Sequence, residues 1–309
     1  MTSAAIVVAF VTVVFAVAGP QLAQRLPPAV AIRVLVPASL AISMCGIWVL
    51  GAVALTWAGT LGPVSRYGGW SPEQLRADSP FPMTLAFLCA LLTTLAVGRL
   101  LTVGTRRLWN LLAVRRCCRR LGSPGSLIVI EHERPDAFAT PGAAGRIVIT
   151  TGLLRALTAD QRRALIAHET SHIVRHHAWW LFGAALTSAA NPMMTPMSRA
   201  VAHLVERWAD EDAAREVTDR RLVAETVAHA ALLTRHREPG WRPSAAPAAT
   251  GGDMPKRVRA LLEPPQQPRV GPLVLLAVLL AASLVATGTM QTRSETLFDN
   301  ASACGICHR

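Results

Sequence analysis

Charge is scarce in this sequence: 16% of its 309 residues are charged, against 51% that are hydrophobic. An ordinary soluble domain carries about a quarter charged residues. Aromatic residues are scarcer still at 5%, Tyr67 is the only tyrosine and Lys256 the only lysine. Such high hydrophobicity excludes a disordered chain or a polar nucleic-acid-binding tail. The net charge of +12 is carried almost wholly by arginine. No helix-turn-helix or basic repeat gathers those arginines into a reading surface, so no direct nucleic-acid binding is expected. Cysteine is sparse and unpatterned. Cys45 and Cys89 lie in apolar runs, Cys117 and Cys118 among arginines, and Cys304 and Cys307 at the extreme C-terminus. No disulfide framework reads from them.

What is present is long apolar runs, and a membrane span needs about 20 such residues. Three spans are expected within residues 1–105: one over Ala4–Val17, a second centred on Val34–Trp57, and a third between Asp78 and Arg99. The first has neither the basic start nor the cleavage site of a signal peptide and reads as a retained span. A basic juxtamembrane segment follows at 106–121, then a folded domain at 122–238. After it come a Pro/Gly-rich linker at 239–269 with an Ala/Pro-rich patch at Ser244–Thr250, a fourth span at 270–292 and a short tail at 293–309. Arginines crowd the domain side of the third span (Arg99, Arg106, Arg107, Arg115, Arg116, Arg119, Arg120), whereas the loop Ala58–Pro82 is balanced. The positive-inside rule then places the chain in the plasma membrane as a multi-pass protein, with the domain cytoplasmic and both termini outside. A further apolar run, Ala178–Ala190, is too short to span and is expected as a buried helix or a segment dipping into the membrane surface.

The domain contains His168-Glu169-Thr170-Ser171-His172 in a helix-compatible stretch free of Gly and Pro. Residues four apart share a helix face, so both imidazoles can bind one Zn²⁺, with Glu169 placed as general base. A third ligand is required, and Glu206 supplies it. Asp210, one turn on, would accept the second ring N–H of a ligating histidine. Glu211 and Asp212 are expected to be solvated. His176 and His177 are expected at the surface or behind a ligand rather than as ligands. One Zn²⁺ per chain is the expected cofactor. The strands Leu127–Ile130 and Ile147–Thr150 precede this helix and offer an edge for an extended peptide. With Tyr67 in the predicted outside loop, Arg220, Arg221 and His229 remain as candidate oxyanion stabilisers.

The motifs Ala137–Gly142, Arg146–Leu154, HETSH and Glu206-Arg207-Trp208-Ala209-Asp210 resemble those of membrane-embedded zinc proteases. These are the HtpX-like and CAAX-prenyl-type proteases and the related BlaR/MecR-type antirepressor peptidases. The resemblance covers about Gly122–Arg221 and implies a mainly α membrane protein: four transmembrane helices plus a cytoplasmic α+β zincin-like metalloprotease domain. Three spans before the domain and one after it resemble the BlaR/MecR branch, which implies cleavage of a transcriptional repressor, a winged-helix protein, after an external signal. No sensor domain fits in the tail, and no SxxK motif occurs there. The alternatives are an HtpX-like protease of membrane-protein quality control and a non-catalytic membrane scaffold. The partners expected are thus a protein substrate and the lipid bilayer. Cys304-Gly305-Ile306-Cys307-His308 matches a haem-attachment motif, but so short a tail cannot build a haem pocket, so haem at Cys304 and Cys307 is not expected.

Overall fold

The computed structural model describes residues 1–119, 127–140, 145–233 and 254–307. Residues 239–253 of the expected linker, with Ser244–Thr250 among them, His308 and the side chains of Cys304 and Cys307 lie outside the described residues.

Among the described residues four helices are long and apolar enough to cross a membrane: α1 (Thr2–Ala23), α2 (Pro28–Ala58), α5 (Met83–Arg119) and α12 (Val270–Cys307). Pro28 opens α2 at its first turn, where a missing N–H costs nothing. Large apolar side chains such as Ile6, Phe10, Leu92, Val278 and Val285 point outward from these helices. Helices satisfy their own backbone, so this outward apolar surface suits hydrocarbon rather than water. Two short helices, α3 (Gly62–Gly68) and α4 (Pro72–Asp78), join α2 to α5. Leu75 of α4 packs on Leu297 and Ala301 of α12, and Trp70 meets Phe298 edge-on. At 38 residues α12 is about 57 Å long, roughly twice the hydrocarbon thickness. The expected tail therefore continues the span as helix and is clasped by the α3–α4 loop.

The domain begins with a three-stranded sheet of β1 (Leu127–Ile130), β2 (Ala137–Ala139) and β3 (Ile147–Thr150), in the order β1-β3-β2. β1 runs parallel to β3 and β2 antiparallel to it, pairing Phe138 with Val148. The central strand β3 is buried at all four positions. β2, only three residues long, falls below the length that sequence pattern resolves. α6 (Thr151–Ala156) follows directly, then α7 (Ala159–Val174). Thr158 and Gln161 form a reciprocal capping box that fixes the start of α7 and hence the register of its histidines.

The run Ala178–Ala190 forms α8 (His177–Ala190), which packs against α2, α5 and α9 (Thr195–Val217). Gly183 lies against Val36, where an added Cβ would come within 2.9 Å, and Thr187 Oγ1 is 3.4 Å from Ser39 Oγ. α8 is thus a helix seated on the span bundle. Asn191 and a 3₁₀ turn at Pro192–Met194 reverse the chain into α9. α9 is shared between two environments. Met197, Val201, Leu204 and Trp208 join one core with Phe15, Leu26 and Leu35 of the α1–α2 hairpin, while Ala213 and Ala214 join Ala164, Val223 and Val227. α10 (Arg220–Leu233) and α11 (Met254–Leu262) complete the domain. The expectation of a linker throughout 239–269 is corrected here: 254–262 is a helix with Leu261 buried and Val258 packed beside it.

Candidate metal centre

α7 carries His168 and His172 one turn apart, and α9 brings Glu206 opposite them. The two Nε2 atoms are 3.2 Å apart, and Glu206 carboxylate oxygens lie 3.7 Å from His168 Nε2 and 3.8 Å from His172 Nε2. Two imidazole nitrogens and one carboxylate oxygen therefore converge within 4.8 Å, the three-protein-ligand set of an open catalytic metal site. His168, Glu169 and His172 are all buried.

The outward nitrogens of both rings are also occupied. His168 Nδ1 lies 3.0 Å from Asp210 Oδ1. His172 Nδ1 lies 2.9 Å from Nδ1 of His177, which is fully buried. These contacts hold the rings so that each Nε2 faces the point where the three side chains converge. The residues thus fit a divalent metal ion, and they do so through their supports as well as their ligands. His177 therefore supports a ligand rather than sitting at the surface, and His176 alone is exposed, in the left-handed region with φ 54°.

Arg257 of α11 is the residue that sequence reasoning missed. Its guanidinium grips Asp210 with two hydrogen bonds, Nε to Oδ2 at 2.7 Å and a terminal nitrogen to Oδ1 at 2.6 Å. Its other terminal nitrogen is 3.1 Å from Glu206. Burial opposes ionisation of Glu206 and Asp210, but the Arg257 charge outweighs it and holds both carboxyls below their usual range. Burial would also lower His168, yet its contacts with Asp210 and Glu206 win and raise it to about 10. Burial, then the neighbouring His172 ring, pushes His177 down to about 2. The amphipathic pattern of Val258 and Leu261 beside Arg257 is the signal that could have marked α11.

A cleft of about 80 Å³ opens onto these ligands. Ala137–Ala139 of β2 line one wall, Val223, Thr226 and Val227 of α10 another, and Glu169 and Arg257 face it from the floor. The candidate oxyanion stabilisers do not line it. Arg220 is clamped on both oxygens of Glu211, at 2.5 and 2.9 Å, and on carbonyls of α11. Arg221 is exposed beside Glu225, and His229 turns to Gln161. Glu211 and Asp212 are not solvated as expected: Asp212 accepts from Ser171 and Arg175, both at 2.8 Å, and ties α7 to α9.

Residues 112–186 match the model of peptidase family M48. That match takes in HExxH and ends before Glu206, so the third ligand rests on geometry. Over 68 residues the chain is 40% identical to a protease HtpX homologue of Aeropyrum pernix, covering 21% of each chain. Over 69 residues it is 41% identical to protease HtpX of Histophilus somni, covering 21% of this chain and 24% of that one. Over 108 residues it is 28% identical to a protease HtpX homologue of Janthinobacterium sp. (strain Marseille), 34% and 36% of the two chains. The chain thus spans between about a fifth and a third of the length of these curated relatives. No solved structure matches. The similarity is to HtpX-like membrane metallopeptidases.

Proposed function

We propose that this protein is a membrane-embedded zinc endopeptidase of the HtpX-like kind, acting on membrane proteins in quality control at the cytoplasmic face of the plasma membrane. The observation that carries this reading is the buried His168–His172–Glu206 triangle with Glu169 beside it in an open cleft. The relatives named above favour this reading over repressor cleavage, which the arrangement of spans alone suggested. The arginine asymmetry supports a cytoplasmic domain and outside termini.

His168, His172 and Glu206 would hold the ion, which when bound supplies a Lewis acid to polarise the scissile carbonyl. Glu169 is placed to take the proton of the attacking water. Asp210 and His177 hold the two imidazoles in register, so the ligand geometry is set before substrate arrives. β2 forms one wall of the cleft, where an extended peptide can lie alongside it. α9 roots the site in the span bundle, which brings the cleft to segments emerging from the bilayer.

The test is Glu169→Gln in the full chain. The change keeps the side-chain shape but not the base, so the metal stays and cleavage of a misfolded membrane-protein substrate falls by about 10²–10⁴-fold. Equal cleavage by variant and wild type would sink the peptidase reading. Cleavage of a soluble repressor with membrane proteins spared would restore the antirepressor alternative.

A further inference from the structure

A second stripe of α9, one residue round from the metal ligands, lines a larger cavity. Arg199, His203, Arg207 and Glu211 are four apart and so share one helix face. They border a cavity of about 400 Å³ between α9, α11 and the domain-side end of span α1 at Pro20, Ala23 and Gln24. Gln266 donates to the Gln24 carbonyl at 3.0 Å and ties the segment after α11 to that end of the span.

Arg207 is the unusual member. It is 8% exposed, and its Nε is enclosed without a hydrogen-bond partner among the described residues. The two acids that act on it most, Glu211 and Asp210, are already committed. Both oxygens of Asp210 are held by Arg257, and both oxygens of Glu211 by Arg220. A desolvated guanidinium whose nearest carboxylates are bound to other arginines is costly and selects for an anion from outside. Arg199 and Arg259, both exposed, stand on the rim, with Glu263 as the opposing carboxylate. Arg25 follows span α1 and Arg269 precedes span α12, so the cavity lies at the level of the headgroups.

We infer that this cavity binds a phosphate group, gripped by Arg207 from within and by Arg199 and Arg259 at the rim. Guanidinium matches phosphate in geometry as well as charge, and basic pockets at span ends take anionic headgroups. The chemistry is shared by two sources, the headgroup of an anionic phospholipid and a soluble phosphate monoester. The site is independent of the peptidase reading, since it needs neither metal nor cleavage.

The experiment uses the full chain in nanodiscs of mixed phosphatidylcholine and phosphatidylglycerol. Retained lipid is counted by native mass spectrometry after transfer to neutral detergent. The second arm titrates the detergent-solubilised chain with glycerol phosphate and inorganic phosphate. Wild type should retain phosphatidylglycerol about tenfold over phosphatidylcholine, of the order expected for one charge-assisted contact. Arg207→Gln and the double variant Arg199→Gln/Arg259→Gln should bring that ratio to parity, while Arg221→Gln leaves it unchanged. Saturable binding of the soluble phosphates, abolished by the same variants and without lipid preference, assigns the site to a soluble ligand. If Arg207→Gln does not fold, as judged by aggregation in size-exclusion chromatography, the surface double variant decides. No preference in either arm, or a preference that survives both variants, overturns the proposal.

Discussion

At the scale of single residues, the candidate metal centre is a stack of charges in which each group is held by the next. Arg257 faces both Glu206 and Asp210, and all three are largely buried. Removing one partner of such a cluster leaves uncompensated buried charge, which costs about 3–5 kcal/mol. Arg257→Gln should therefore destabilise the metal-free protein by about that amount. Saturating zinc should recover part of the loss, because the ion supplies the positive charge that Glu206 lacks. Thermal unfolding with chelator and with zinc checks this, and an equal loss in both would separate Arg257 from the metal centre. His168, Glu169 and His172 were legible in the sequence because their spacing is local to one helix. Glu206 and Asp210 were legible because a carboxylate pair four apart had to face something. Arg257 was not, since a tertiary contact from a short basic helix defines it, and His177 was legible only as one of two alternatives, which the turn at His176 decides.

At the scale of elements, the joint between β3 and α6 positions everything downstream. Gly152 donates its N–H to the His132 carbonyl at 2.9 Å, and the Thr151 hydroxyl accepts from His132 N–H at 3.1 Å. A Cβ on Gly152 would sit 1.9 Å from the Glu133 carbonyl oxygen, a backbone atom that cannot swing aside. Gly152→Ala should cost about 1–3 kcal/mol as an overpacking change and lower metal loading by shifting β3 against α7. Gly46→Ala, with open space around its position, should leave both unchanged. Melting temperature and metal content report the difference, and a tolerated Gly152→Ala would mean that the His132–Glu133 turn yields. The long elements were legible because apolar length alone declares a span. α8 was legible as a helix but not in its seat, which depends on Gly183 leaving room for the Val36 side chain of α2. The three-residue β2 and the nine-residue α11 lie below the length at which periodicity speaks.

At the scale of the whole molecule, the membrane bundle and the metal domain share a core through α9. Trp208, two residues from Glu206, sits with Arg33 of α2 over one face at 4.9 Å and with His177 at 5.0 Å. Phe15, Leu26 and Leu35 cover the same helix. A fragment of residues 122–269, cut free of its spans, should therefore expose this apolar face, aggregate and fail to hold metal. Size-exclusion chromatography with metal analysis checks this, and a monomeric fragment with one ion per chain would show the domain to be autonomous. The clamp by Arg257 carries a consequence for biosynthesis. Chains are made from the N-terminus, and domains settle as they emerge. Asp210 leaves the ribosome 47 residues ahead of the arginine that neutralises it. During that interval the nascent chain holds an acid pair without its counter-charge, and the candidate metal centre stays unbalanced. The cluster is completed only once α11 has been made, so the side chains that α7 and α9 bring together wait on a later helix for their charge balance.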